Sequence, residues 1–251
     1  MTGGATGLAM VQAVTVEGGA IGGPDRVAAP SWLAEHAQRF RESGAAPAVP
    51  RLAATVVLLR DHGGRLEIYT QRRAATMAFA PGMYAFPGGS VSPADASPSD
   101  APPDGPDVDP SVLGRMGLPA ASARAVLRAA VREVAEETGV ALAMTALAPW
   151  ARWLTPEFEP RRFDTFFFLA ALPAGQQPVD PSGEADHALW LPPAEATSRL
   201  PMMPPTWQVL TDLAAFTDVA AALAASAQRD VSEPIRPVIE VDEDGTWLRL
   251  R

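Results

Sequence analysis

Apolar and polar positions switch between two periods along this chain, and the switches mark its elements. Leu52 to Leu59 is an apolar run with β-branched members, and Leu66 to Gln71 alternates apolar with polar. Two such runs joined by Asp61-His62-Gly63-Gly64 predict two strands and a hairpin turn. From about Ala120 to Thr138 the apolar positions recur three and four apart instead, which predicts a helix with Leu127, Val131, Val134 and Thr138 on its core side. Phe163 to Leu172 reads as a buried strand and Ala188 to Leu191 as a short one. Upstream, Ser31 is placed to cap a helix running through Trp32, Leu33 and Phe40 to Gly44. Downstream, the alanine-rich Pro205 to Ala227 predicts one helix or a broken pair, and Ile235 to Leu250 a terminal hairpin turning at Asp244-Gly245. Residues 1–30 are rich in Gly and Ala, carry little pattern, and are expected to form a flexible tail. No internal repeat interrupts this order. Strands on either side of a central helix, with helix again late in the chain, predict a mixed α/β sandwich built as a single domain over residues 31–251.

Composition narrows the classes of function. With 251 residues and 47% apolar positions the chain can bury a sizeable core. A net charge of −9 argues against nonspecific binding to nucleic acid or to an anionic membrane. It leaves a phosphate substrate open, because a bound cation reverses the local field. The chain has no cysteine, so disulfides, thiolate metal sites and cysteine nucleophiles are excluded. No apolar run reaches the length of a membrane span, and the N-terminus lacks the basic and hydrophobic regions of a secretory signal, so a cytoplasmic protein is expected. Prolines, 26 in all, cluster in connecting segments. Ser92 to Pro119, rich in Pro, Asp, Ser and Ala, predicts a surface excursion with a short helical turn near Ser111–Met116; a lid is the sharper reading of the same loop.

The chemistry concentrates at the end of the predicted helix, in Arg132-Glu133-Val134-Ala135-Glu136-Glu137-Thr138-Gly139-Val140. At about 100° per residue, Glu133, Glu136 and Glu137 fall within one arc of about 100°. Three close carboxylates repel one another unless a cation sits among them. Oxygen donors that leave room for water and phosphate suit Mg²⁺ or Mn²⁺. The competing reading is a solvated acidic face, with Arg132 and Glu136 as an i,i+4 pair and Gly139 as a helix C-cap.

A second motif, Ala85-Phe86-Pro87-Gly88-Gly89-Ser90-Val91, lies upstream, and its Pro-Gly-Gly turn lets backbone approach a ligand closely. Together the two segments resemble the Nudix hydrolase family, whose signature runs glycine, five residues, Glu, seven residues, then Arg-Glu-apolar-x-Glu-Glu-x-Gly-apolar. Arg132 to Val140 matches the second half in full. In the first half Gly89 is the glycine, but Asp95 stands in place of the Glu, and 36 residues separate it from Arg132, an insertion of 29. A shorter carboxylate ahead of a long loop need not reach the helix. The resemblance implies a Nudix-type α/β/α sandwich with a mixed sheet and a long insertion, at about 92–119, inside the signature, with a C-terminal helix and hairpin over about 205–251. Gln71-Arg72-Arg73 leading through Met77 to Tyr84, Arg161 to Phe168, and Pro204-Pro205-Thr206-Trp207 are similar to the peroxisomal coenzyme A diphosphatase type of that family and its bacterial relatives.

That resemblance implies hydrolysis of a diphosphate bond in a nucleoside diphosphate derivative, with coenzyme A or acyl-coenzyme A favoured. ADP-ribose and dinucleotide polyphosphates are the alternatives. It implies Mg²⁺ or Mn²⁺ held by Glu133, Glu136 and Glu137 with a carbonyl of Gly88 or Gly89, and Arg132 orienting the carboxylates. The general base is either a glutamate of the helix or one from a later loop, where Glu184 is the candidate; a solvated turn residue is its other reading. Arg72, Arg73 and Arg162 are candidates for substrate phosphates, although strand arginines are as readily surface residues. Asp164 within the Phe run faces an arginine, a cation or solvent. Phe166 and Trp207 are either core or base-stacking aromatics. The expected partner is a small nucleotide, with a homodimer as the assembly common in such proteins. Two other classes stay open, a nucleotide-sensing domain without catalysis and an interaction protein with a merely solvated acidic helix.

Overall fold

Side chains on successive residues of a strand point to opposite faces, so a central strand covered on both sides must be apolar throughout. The computed structural model, which describes residues 26–28, 31–75, 80–96, 108–179, 183 and 185–250, shows this in its central strands. In β2 (Arg51–His62), Ala54, Val56 and Leu58 face one layer while Val57 and Leu59 face the other. In β7 (Phe163–Ala171), Phe166, Phe168 and Ala170 divide in the same way from Phe167 and Leu169. These two strands pair in parallel. β3 (Arg65–Arg73), β4 (Tyr84–Ala85), β5 (Gly88–Ser90), β6 (Ala148–Leu154) and β8 (Ala185–Leu191) join antiparallel, giving a seven-stranded mixed sheet with main order β4-β3-β2-β7-β6, β5 on β2 and β8 on β3.

One face of the sheet is covered by α4 (Ala120–Thr138), which buries Val126, Leu127, Ala130 and Val134 against Ala54, Val56, Phe166 and Phe168. Each fully buried Val or Leu of this stripe contributes about 1.5–3 kcal/mol. The other face is covered by α5 (Pro193–Arg199), α6 (Pro204–Leu213) and α7 (Val219–Ser226), through Ala196, Val209, Leu210, Leu213 and Ala222. The expected α/β/α layering is therefore present. α1 (Ser31–Ser43) precedes the sheet, and α2 (Pro93–Ala96) and α3 (Pro110–Gly114) lie within the expected excursion. A second sheet of three strands, β1 (Arg26–Ala28), β10 (Gly245–Leu250) and β9 (Pro237–Asp242), is antiparallel throughout. Among the described residues no helix is long and apolar enough to cross a membrane.

The alanine-rich stretch takes the broken-pair form, as α6 and α7. Two expectations change. Strand β6 was not anticipated, because Pro149 and Arg152 interrupt its apolar pattern; a register shift between Pro149 and Ala151 absorbs the proline. Arg26–Ala28, assigned to the tail, instead pair with the open edge of the terminal hairpin. The rest of residues 1–30, the stretch 97–107 of the excursion, Thr76 to Phe79, Asp180 to Ser182 and Glu184 lie outside the described residues, as do the side chains of Ser31 and Trp32.

Candidate functional site

Helix α4 ends where the motif requires it to end. Gly139 takes a left-handed conformation (φ 67°), and its N–H donates to the Ala135 carbonyl. A residue with a Cβ is strained there, so glycine closes the helix two residues after the last carboxylate, Glu137. The turn from Phe86 to Gly89 lies alongside this last turn of the helix. A Cβ on Gly89 would come within 2.3 Å of Glu133 Oε1, and one on Gly88 would meet the Ala54 carbonyl at 2.3 Å. The two glycines allow β5 to lie against β2 on one side and the Glu133 carboxylate on the other.

Arg132 ties the acidic side chains together. Its Nη1 donates to Glu133 Oε1 and to Glu136 Oε2, each at 2.9 Å, and its Nη2 to the Ser90 carbonyl at 3.2 Å. The remaining donors grip Asp95 in a fork, Nε to Oδ1 at 3.0 Å and Nη2 to Oδ2 at 2.9 Å. Asp95 therefore does reach the helix across the insertion. It sits in α2 behind Ser92, whose backbone N–H and hydroxyl donate to Asp95 Oδ2 at 2.7 and 2.8 Å, while Arg128 holds its backbone carbonyl at 2.7 Å. Burial pushes the Asp95 carboxyl up, but bonds from Arg132 and from Ser92 outweigh it and hold the group below the usual carboxylate range. The proton affinity of Arg132 is raised, first by its bonds to Asp95, against burial, and then by the Glu133 charge. Ser92-x-x-Asp95 is a capping box, the sequence signal that would have placed Asp95 at the start of a helical turn.

The three helix carboxylates do not share one environment. Glu136 is 56% exposed and Glu133 15%. Glu137, 6% exposed, turns inward, where it accepts from the Gly88 N–H at 3.3 Å and from the Gln71 side-chain amide in a short contact. Gln71 Oε1, buried beside it, has no partner among the described residues. Among the described residues no three His, Cys, Asp or Glu side chains already converge on one point. The donor chemistry nevertheless suits a hard divalent cation, since it consists only of oxygens and includes the orphaned Gln71 Oε1 next to Glu137. The residues fit such an ion.

The other expected residues scatter. Arg72 pairs with Asp186 at 2.6 Å, while Arg73 lines a cavity. Arg162 is buried, and its Nε and Nη1 donate to the carbonyls of Thr155 and Ala48 at 3.1 and 2.9 Å, joining chain segments. Asp164 faces Arg152 in a fork at 2.8 and 2.6 Å. Phe166 is core, stacked near Phe168, and Trp207 packs beside the core of the opposite layer. Sequence reasoning missed the role of Gln71, which became visible only when β3 and the end of α4 met.

Beside Gly88 opens a cavity of about 290 Å³. Arg73, Tyr84, Arg161, Phe163, Pro204 and Thr206 all line it. The three sequence segments set apart above, 71–84, 161–168 and 204–207, thus converge on one space next to the glycine turn.

Comparison with known proteins agrees with this arrangement. The NUDIX domain model matches residues 117–213, starting at the end of the insertion, so the glycine turn and Asp95 precede the matched segment. A NUDIX hydrolase from Alicyclobacillus acidocaldarius superposes with a TM-score of 0.58 at 27% identity, covering 74% of this chain and 99% of that one. A C. elegans Ap4A hydrolase complex gives a TM-score of 0.43 at 17% identity over 70% of this chain and 98% of the other. The NUDIX domain of Shewanella oneidensis NrtR, solved with ADP ribose, gives 0.46 at 14% identity over 71% and 94%. No curated protein matches the chain.

Proposed function

We propose that this chain is a Nudix-type pyrophosphohydrolase that cleaves the diphosphate bond of a nucleoside diphosphate derivative, a reading supported by the NUDIX domain model over residues 117–213 and by the likeness to a NUDIX hydrolase structure. The carrying observation is the Arg132 cluster: one guanidinium holds Asp95, Glu133 and Glu136 against a glycine turn whose Gly88 N–H holds Glu137. A solvated acidic face needs no such buried anchoring. A sensing domain without catalysis has no use for all three helix carboxylates, and this chain keeps them.

In this reading Glu133, Glu136 and Glu137, with a carbonyl of Gly88 or Gly89, hold a divalent cation, Mg²⁺ or Mn²⁺. When bound, such an ion neutralises phosphate oxygens and acidifies water. Arg132 keeps Glu133 and Glu136 from swinging away when the ion is absent, so the site is preorganised. Gln71 and the Gly88 N–H do the same for Glu137. The proton of the attacking water goes to a carboxylate, either Glu133 on the helix or Glu184 on the later loop. Arg73, at the cavity wall, supplies positive charge toward the substrate. We place coenzyme A or acyl-coenzyme A first among substrates, because the segments that set this chain apart meet at the cavity; ADP-ribose and dinucleotide polyphosphates follow. The protein is expected to act as one domain over residues 31–251, in the cytoplasm, alone or as a homodimer.

The test is product analysis with purified protein and Mg²⁺ on coenzyme A, acetyl-coenzyme A, ADP-ribose, NADH and diadenosine polyphosphates, with Glu136→Gln as control. Release of 3′,5′-ADP and a phosphopantetheine, lost in the variant, supports chemistry and substrate together. Cleavage of another member only discards the coenzyme A assignment. Binding without cleavage of any member overturns hydrolysis in favour of sensing.

A further inference from the structure

Glu159 lies on the turn between β6 and β7 and lines the cavity beside Gly88. Its backbone N–H donates to the Pro156 carbonyl at 3.2 Å, but among the described residues its carboxyl has neither a hydrogen-bond nor an ion-pair partner. Around it the walls are apolar and aromatic, with Phe86, Trp153, Phe158 and Phe163. Partly buried polar groups in such a wall are ordinarily paired. An unpaired carboxyl among aromatic walls calls for a flat ligand with its own donor and acceptor.

The chemistry of the carboxyl narrows that ligand. Burial pushes the Glu159 carboxyl up to about 7. In its neutral form it sets an O–H donor beside a C=O acceptor. Adenine offers the complement on its amine-bearing edge, an N–H donor beside a ring-nitrogen acceptor, on a flat apolar ring that suits aromatic walls. Position agrees: the cavity begins at Gly88, where Glu137 is anchored, so a diphosphate held there leaves its nucleoside end in the cavity.

We propose that this cavity takes an adenine ring and that Glu159 is the specificity-determining residue that reads its amine-bearing edge. The inference rests on the hydrolase reading for the location of the diphosphate. It goes beyond that reading because every nucleotide on the hydrolysis panel contains adenine, so the panel cannot test it. Other charged or titratable groups near Glu159 are Arg73, Arg161 and Tyr84 on the cavity wall, Glu157 and Arg162 on the same loop, and His36, whose ring meets Phe158 at 5.6 Å.

The test uses the nucleosides adenosine and purine riboside, which has the same ring without the amine. Neither carries a phosphate that titrates. Binding is followed by calorimetry on the full chain without metal, from pH 5.5 to 8.5. Wild type is expected to prefer adenosine by about tenfold at pH 6, the worth of a well-made buried hydrogen bond. Binding of both nucleosides should weaken as pH rises through about 7, because the ionised carboxylate loses the O–H donor that the ring nitrogen of each accepts. Glu159→Gln keeps a donor beside an acceptor, so it should retain the preference with a flat pH profile. Glu159→Leu should bind both nucleosides equally, and His36→Asn should leave the wild-type pH profile in place. A preference that survives in Glu159→Leu, or a pH profile abolished by His36→Asn, overturns the assignment. Hydrolysis without nucleoside discrimination sinks this proposal alone, whereas discrimination without hydrolysis supports it and sinks the hydrolase reading.

Discussion

Asp95 to Asn is the substitution that most directly probes how this site is held. The side chain keeps its size, but the charge facing Arg132 disappears, and one of the two oxygens in the fork becomes an amide that repels the guanidinium. Breaking a buried ion pair by removing one partner costs about 3–5 kcal/mol. Asp95 is 5% exposed but Arg132 is 29% exposed and keeps Glu133, Glu136 and the Ser90 carbonyl, so about 2 kcal/mol is expected. For a domain of this size that corresponds to a drop in Tm of about 4–8 °C, read by circular dichroism at pH 7. The sign with pH follows from the depressed carboxyl. Its stabilisation is complete above the ordinary aspartate value of about 4 and is lost as pH falls through the lower value of the folded state. The gap between wild type and variant should stay constant from pH 8 to about 5 and close below about 4. Turnover should fall about tenfold or more, since Arg132 loses the anchor that orients Glu133 and Glu136. A gap under 1 °C at pH 7, or one unchanged at pH 3.5, refutes the reasoning.

Gly89 to Ala drives a methyl into Glu133 Oε1, so it should abolish turnover and lower stability by about 1–3 kcal/mol in urea unfolding, whereas the same change at the open Gly114 should do neither. Arg152 to Met breaks a fork in which both side chains are nearly buried and also releases the Ser232 carbonyl, so about 3–5 kcal/mol should be lost with the site chemistry intact in the folded fraction. Chelation should stop turnover and lower Tm, and Mg²⁺ should restore both in wild type but restore neither in a Glu136→Gln, Glu137→Gln double variant, as monitored by thermal shift.

The periodicity of the chain was enough for the layers. Both boundaries of α4 coincide with the expected residues, because an apolar stripe, a proline before the helix and a glycine after it all point the same way. The same reasoning fails at β6, where Pro149 and Arg152 break the pattern. There the strand is held by pairing with β7 and by the Arg152–Asp164 fork, neither of which leaves a local mark. Asp164 looked anomalous within an aromatic run for the same reason: its partner lies twelve residues away, on the neighbouring strand.

The site divides along the same line. Spacing on one helix places Glu133, Glu136 and Arg132 together, and that much could be read directly. It predicts equivalence among the three glutamates, which the structure replaces with an exposed, a partly buried and an inward-facing carboxylate. The difference comes from groups far away in sequence. Gln71, on β3, and the Gly88 amide claim Glu137, and Asp95, across the insertion, claims the free side of Arg132. A helix reports its own angular order, but not which of its residues a second strand or a turn will desolvate. The inward-facing glutamate, the one a sheet residue and a backbone amide hold in place, is therefore the carboxylate whose position depends least on a bound cation, and Glu136, exposed and held among the described residues only by Arg132, depends on it most.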